Sequence, residues 1–170
     1  MLRFVHISDT HVGPDATFTL YEQNTLASLE ALITHLNEEL PFAPDFVLHT
    51  GDVIDMPNAA STQLAAQALA RLRYPIYYAI GNHDSRAQVR AHLLGQPPSE
   101  DPLCYDFVAN GVHFIVLDSL RAGEPQPSGE LGTAQLAWLA AQLEGSEAQS
   151  VAVVVAPPRR LTRRSNGCRG

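Results

Sequence analysis

The sequence predicts an α/β domain in which a parallel sheet is layered against helices, and three observations lead there. Between residues 2 and 94 a short apolar run, a polar turn and a helical stretch follow one another three times, the order that builds parallel strands with crossover helices. Each polar turn stands at the carboxyl end of its strand, where open α/β sheets carry their functional groups. Two further apolar runs meet at Asn110-Gly111, a strong hairpin signal that adds an antiparallel pair. With 170 residues, 45% of them hydrophobic, the chain is sized for one domain with a buried core.

The elements follow in order. LRFVHIS, residues 2–8, reads as the first strand and ends at Asp9-Thr10-His11. Tyr21 to Glu39 reads as a helix, with Leu26, Leu29, Leu32, Ile33 and Leu36 on one stripe. Phe46 to His49 is a second strand, ending at Gly51-Asp52, and Thr62 to Leu72 a second helix. PIYYAI is a third strand that runs into Gly81-Asn82-His83-Asp84, followed by a helix from Ser85 to Leu94. Gly95 to Pro102 reads as a loop, and the hairpin strands then end at Asp118-Ser119. After a Gly/Pro-rich loop, Thr133 to Leu143 is an amphipathic helix with Thr133 as N-cap, and Val151 to Val155 is a last buried strand.

Charge and composition narrow the partners. The net charge is −7, all eleven basic residues are Arg, and five of these fall between Arg159 and Arg169. The body before them is strongly acidic, which argues against a nucleic-acid-binding surface. No apolar run is long enough to span a membrane, and MLRFVHISDTH lacks the apolar segment of a signal peptide. Cys104 and Cys168 make no disulfide framework. A cytoplasmic protein with neither membrane nor nucleic-acid partner is expected.

The chemistry gathers in the three turns. Asp9, His11, Asp52, Asn82 and His83 bring carboxylates, imidazoles and an amide oxygen to one sheet edge. Asp9 and His11 are two apart, so an extended backbone would place both on one side. Gly51 and Gly81 would let the chain turn tightly ahead of Asp52 and Asn82. Mixed oxygen and imidazole donors suit Mn, Fe, Zn or Ni. Taken singly, each turn is an ordinary loop or helix cap; three in order, each directly after a strand, form a site. The other histidines have structural readings: His6 and His113 as strand positions, His49 as a packed strand end, His35 and His92 on helices. Trp138 and its Leu neighbours read as core, and Asp118-Ser119 lies near the same edge.

Asp9-x-His11, Gly51-Asp52 and Gly81-Asn82-His83-Asp84 resemble the first three signature motifs of the calcineurin-like metallophosphoesterases. The stretch VLDSLRAGEPQPSGELGTAQLAWLAAQL, residues 116–143, is similar to the segment that follows in the class III cyclic nucleotide phosphodiesterase branch. The nuclease branch shares the opening pattern but not this segment. The resemblance implies an αββα sandwich around two divalent ions, Mn, Fe, Zn or similar. It implies Asp9 and His11 on the first ion, Asp52 bridging both, Asn82 on the second, His83 as donor to the leaving oxygen, and Asp84 orienting His83. A small phosphoester, with cyclic nucleotides leading, is the implied substrate, and a homodimer is compatible with the branch.

The same resemblance implies ligands that this sequence lacks. The family pattern has a His, often a His-His pair, after a strand like Val151–Val155, and a later Gly-His-x-His; no His follows His113 here. Residues 1–156 are therefore expected to be the N-terminal part of a phosphoesterase domain, without the C-terminal part of the second sheet. Residues 157–170 are expected to be the product of a shifted reading frame. Codons CCA-CCA-CGN for Pro157-Pro158-Arg159 read His-His one base along. With those ligands absent, the chain is expected to hold one ion or none, and a catalytically dead fragment or a phosphatase or nuclease of the same superfamily are the alternatives.

Overall fold

In the computed structural model, which describes residues 1–121, 129–147 and 150–155, the chain opens with strand β1 (Phe4–Ile7) and a short hairpin, β2 (Thr19–Leu20) and β3 (Gln23–Asn24). Helix α1 (Thr25–Glu38), strand β4 (Phe46–His49), helix α2 (Ala59–Leu69) and strand β5 (Ile76–Tyr78) follow. A short helix α3 (Arg86–Gln88) runs on as a π-helical turn through Leu93, and then come β6 (Tyr105–Ala109), β7 (Val112–Leu117), α4 (Thr133–Gly145) and β8 (Ser150–Val155). The first sheet has the order β1-β4-β5, all parallel, with Val47 paired to Val5 and to Ile76. The second has the order β6-β7-β8, with β6 antiparallel and β8 parallel to β7.

β4 is buried along its whole length because both of its faces are covered. On one side Leu29 and Ile33 of α1 and Ala65 and Leu69 of α2 pack with Val12, Ile54 and Tyr78. On the other side an aromatic layer joins the two sheets. Phe46 stacks on Phe4 with centroids 5.1 Å apart and meets Tyr77, Phe107 and Phe114 edge-on at 5.2–5.4 Å, each such pair contributing about 1 kcal/mol beyond its buried area. α4 lies over the far face of the second sheet, where the Gln135 amide accepts from the Asp118 N–H and donates to the Asp118 carbonyl. The layers therefore run helix, sheet, sheet, helix, the αββα sandwich expected. No helix among the described residues is long and apolar enough to cross a membrane.

Four local expectations are corrected. Residues 19–24 form the β2–β3 hairpin rather than the first turns of α1, with Tyr21 and Glu22 left-handed at its tip (φ +48° and +66°); Asn24 then caps α1 by accepting from the Ala27 N–H. α2 starts earlier than expected because Asn58 caps it through the Ser61 N–H. α4 begins at Thr133 with Gly132 as its cap and no side-chain cap bond. Its apolar residues are not core: Trp138 is half-buried, and Leu136 and Leu143 are 48% and 46% exposed. Gln135 is the buried residue of the helix, and Leu139, one turn on, is half-buried. His113 does take the sheet-face position expected of it, its ring bonded to Ser146 and Asp106. Residues 157–170, on which the reading-frame expectation falls, lie outside the described residues.

Candidate metal centre

β1 ends at Ile7, and the chain then runs beside the loop after β4. The Asp9 N–H donates to Gly51, the His11 N–H to Asp52 and the Val12 N–H to Val53, each at 3.0 Å. Where these bonds form, Asp9, His11 and Asp52 all take left-handed backbone, with φ of +57°, +44° and +52°. The two side chains of Asp9 and His11 do converge, but through this shared left-handed turn and not through the extended backbone expected. Each such residue costs roughly 1–2 kcal/mol, and tertiary hydrogen bonds hold it.

Glycine is required where the second and third loops touch. Gly51 is left-handed (φ +101°), and a Cβ on it would overlap the Gly81 backbone. A Cβ on Gly81 would overlap the Asp52 amide and carboxylate. Gly81 has no positive φ, so it serves close approach here rather than the tight turn expected of it.

Asp9, His11 and Asp52 form one group of candidate ligands. His11 Nε2 lies 3.8 Å from Asp9 Oδ1 and 3.9 Å from Asp52 Oδ2, too far for hydrogen bonds. Three lone-pair groups thus face a common point without bonding one another, and Asp9 is exposed. The other ring nitrogen, His11 Nδ1, is buried with no hydrogen-bond partner and lies 3.5 Å from Asp55 Oδ1. An imidazole gripped on one side by a cation and backed on the other by a carboxylate is the usual metal-site arrangement, so the residues present fit a divalent ion.

Asp55 was not singled out in the sequence, although it stands three residues after Asp52 in the same loop. It joins His11 and His83 in a second candidate group, and its carbonyl accepts from His83 Nδ1 at 2.8 Å. That bond puts the proton on Nδ1 and leaves Nε2 as the free ring nitrogen. The His83 backbone N–H donates to Asp52 Oδ1 at 2.9 Å, so the residue is held both at its backbone and at its ring. Asn82 sits half-buried in the turn just before it.

Asp84 does not orient His83 as expected. Both of its oxygens accept backbone N–H groups, Oδ2 from Gly81 and Oδ1 from Val53 and Ile54. The carboxylate is a buried staple between the second and third loops, and burial pushes its pKa up to about 6. His49 is a second staple. Its Nδ1 accepts from the Gly51 N–H, its Nε2–H donates to Thr10 Oγ1, and Thr10 donates on to the Val53 carbonyl. Burial pulls its pKa down to about 3, so it stays neutral. Asp118 is buried against Arg86, with nitrogen–oxygen distances of 2.6 and 3.1 Å, and also accepts from the Leu103 N–H. It fixes the start of α3, two residues beyond Asp84, to the end of β7.

The family model for calcineurin-like phosphoesterases matches residues 2–145. Among curated relatives, a cAMP/cGMP dual specificity phosphodiesterase of Mycobacterium tuberculosis is 35% identical, over 82% of this chain and 44% of its own length. A glycerophosphodiester phosphodiesterase of Enterobacter lignolyticus is 32% identical over 90% of this chain and 55% of its own length. The 3′,5′-cyclic adenosine monophosphate phosphodiesterase of Escherichia coli K12 is 31% identical over 84% and 50%. The chain thus spans about half the length of these relatives. A solved Staphylococcus aureus structure that carries the name 5′-nucleotidase superposes with a TM-score of 0.51 at 14% identity, over 91% of this chain and 37% of its own.

Proposed function

The chain belongs to the calcineurin-like phosphoesterase family, and from that premise we propose that it is a metal-dependent phosphodiesterase acting on a small phosphodiester, with cyclic nucleotides the leading class. The observation that carries this reading is the convergence of Asp9, His11 and Asp52, three groups that face one point and do not bond one another. Phosphodiesterases of cyclic nucleotides and of glycerophosphodiesters among the relatives support the substrate class.

Asp9, His11 and Asp52 would hold one divalent ion, of the Mn, Fe or Zn kind; Asp52 and Asn82 would contribute to a second. Bound there, such ions supply positive charge to the phosphate oxygens and acidify a water. The chain's own residues do the rest. The Asp55 carbonyl holds one proton of His83 on Nδ1, so Nε2 is the nitrogen that would first take up a second proton and then pass it to the departing alkoxide, leaving the ring neutral. The Asp52 carboxylate holds the His83 amide and so ties the proton donor to a ligand. Asp84 and His49 keep the three loops in register, which fixes the distances between these groups. A cytoplasmic location and a possible homodimer accompany this reading.

The test is hydrolysis of bis(4-nitrophenyl) phosphate and of cyclic AMP by the full chain with Mn²⁺, alongside ion stoichiometry. Two ions per chain with turnover supports the proposal. A second reading, a catalytically dead fragment that binds a single ion, is favoured by the ligand groups themselves: among the described residues the two candidate groups share His11. One ion bound without turnover selects it.

A further inference from the structure

Resting on the phosphodiesterase reading, we infer that the cavity between the β2–β3 hairpin and the start of α1 is a subsite for one ester arm of the substrate, and that this arm is an uncharged, partly apolar organic group. The cavity measures about 330 Å³, within the range of small-molecule sites. Asp9 and His11 are among its lining residues, so whatever fills it lies against two of the candidate metal ligands.

Its walls have two characters. Leu20 of the hairpin and Leu29 and Leu32 of α1 supply an apolar side, while Gln23, Thr25 and Ser28 add an amide and hydroxyls. No Arg lines it, and the only acid, Asp9, would repel a second anion. An ionised phosphate or carboxylate on the arm would therefore enter without a charged partner, at a desolvation cost.

A second cavity also borders Asp9. It measures about 270 Å³ and is lined by His6, Ser8, Asp9, Thr50, Gly51, Asp52 and Gly81, with no aliphatic side chain among them. A phosphorus atom placed at Asp9 thus has two differently lined spaces beside it, matching the two ester arms of a diester. The leucine wall assigns the larger apolar arm to the hairpin side, and the polar space takes the smaller arm or solvent.

The test measures binding, so it does not depend on turnover. Dissociation constants would be determined by calorimetry on the full chain with Mn²⁺, for dimethyl phosphate, benzyl methyl phosphate and 4-phosphonobenzyl methyl phosphate. Benzyl methyl phosphate should bind about tenfold more tightly than dimethyl phosphate, since burying a phenyl ring removes substantial apolar area from water. The phosphono derivative should lose that gain. Leu32→Trp, which fills the cavity from α1, should bring the first two ligands to within about threefold of each other. Gln23→Trp fills it from the exposed hairpin and gives the same readout if Leu32→Trp does not fold.

Equal affinity for the two esters in the unaltered chain, no binding of either, or a preference that survives in a folded variant with normal Mn²⁺ affinity would overturn the inference. Hydrolysis of bis(4-nitrophenyl) phosphate by the same samples separates it from the reading it rests on. Turnover without arm selectivity removes the subsite alone, whereas selectivity without turnover removes the hydrolase reading and leaves the subsite.

Discussion

The imidazole of His83 stands edge-on to that of His11, with ring centroids 4.7 Å apart and planes at 85°, and Asp55 supports both. Its carboxylate lies 3.5 Å from His11 Nδ1 and its carbonyl accepts from His83 Nδ1. The two functions separate in Asp55→Asn, which keeps the carbonyl and removes the charge behind His11. Mn²⁺ affinity should fall about 10- to 100-fold, as for other carboxylates that back a metal-bound histidine. Calorimetry or electron paramagnetic resonance reads this directly, and an unchanged affinity would show that His11 needs no such backing.

Ligand and proton donor should part company in a pair of variants. On the proposed assignment Asp52→Asn removes a charged ligand, so ion binding and turnover should fail together. His83→Gln leaves the Asp9, His11 and Asp52 group whole; Mn²⁺ affinity should stay within about twofold while turnover of bis(4-nitrophenyl) phosphate drops about 10²- to 10⁴-fold. Loss of ion binding in His83→Gln would instead make His83 a ligand.

Gly81→Ala should be among the most damaging single-atom additions in the chain. The new Cβ would overlap the Asp52 amide and carboxylate, and neither can move without breaking the bond from the His83 N–H to Asp52 Oδ1. A loss of about 2–3 kcal/mol is expected in urea unfolding. Gly95→Ala, where the φ is +62° but nothing lies within 4 Å, isolates the backbone term and should cost about 1 kcal/mol.

Acid should weaken the metal-free chain through His49. Its folded pKa of about 3 lies below the ordinary 6.5 because the ring is buried, so the unfolded chain takes up the proton first. The stabilisation is complete above pH 6.5 and is lost as pH falls toward 3. Between pH 7 and pH 4 this amounts to about 3 kcal/mol. Asp84 acts in the opposite sense: its raised pKa lets the folded chain bind its proton first, which offsets part of the loss as pH falls from about 6 to 3.8. His49→Asn keeps an acceptor for the Gly51 N–H and should leave a chain less stable at pH 7 whose stability no longer falls toward pH 4. Chemical denaturation at the two pH values checks it, and parallel losses in both proteins would exclude His49 as the source.

Much of this arrangement was legible in the sequence because it follows from periodicity and spacing. The apolar run Phe46–Leu48 announced a buried strand, and Asn110-Gly111 announced the hairpin, which turns on left-handed residues (φ +47° and +81°). The candidate ligands were legible as polar residues following strands. What stayed hidden depends on contacts distant in sequence. Nothing local in Asp-Thr-His says that its backbone will turn left-handed, since the bonds that impose it come from residues forty positions away. Asp84 follows His83 and reads as its partner, yet its oxygens meet amides of the preceding loop. The β2–β3 hairpin was hidden because Tyr21 to Asn24 continues into an apolar helical stripe, and only the Asn24 cap marks the break.

The left-handed backbone at Asp9, His11 and Asp52 has a consequence for how such a chain would respond to selection. Strain is concentrated at the positions proposed as ligands, so the mutations that most readily relax the fold are those that remove these candidate ligands. A screen that rewarded heat resistance alone would drift toward glycine or asparagine at these three sites and return a sturdier protein with an emptied centre. A screen run with the ion present would keep them. The composition of the growth medium would thus decide which of two lineages, the durable or the competent, emerged from the same starting sequence.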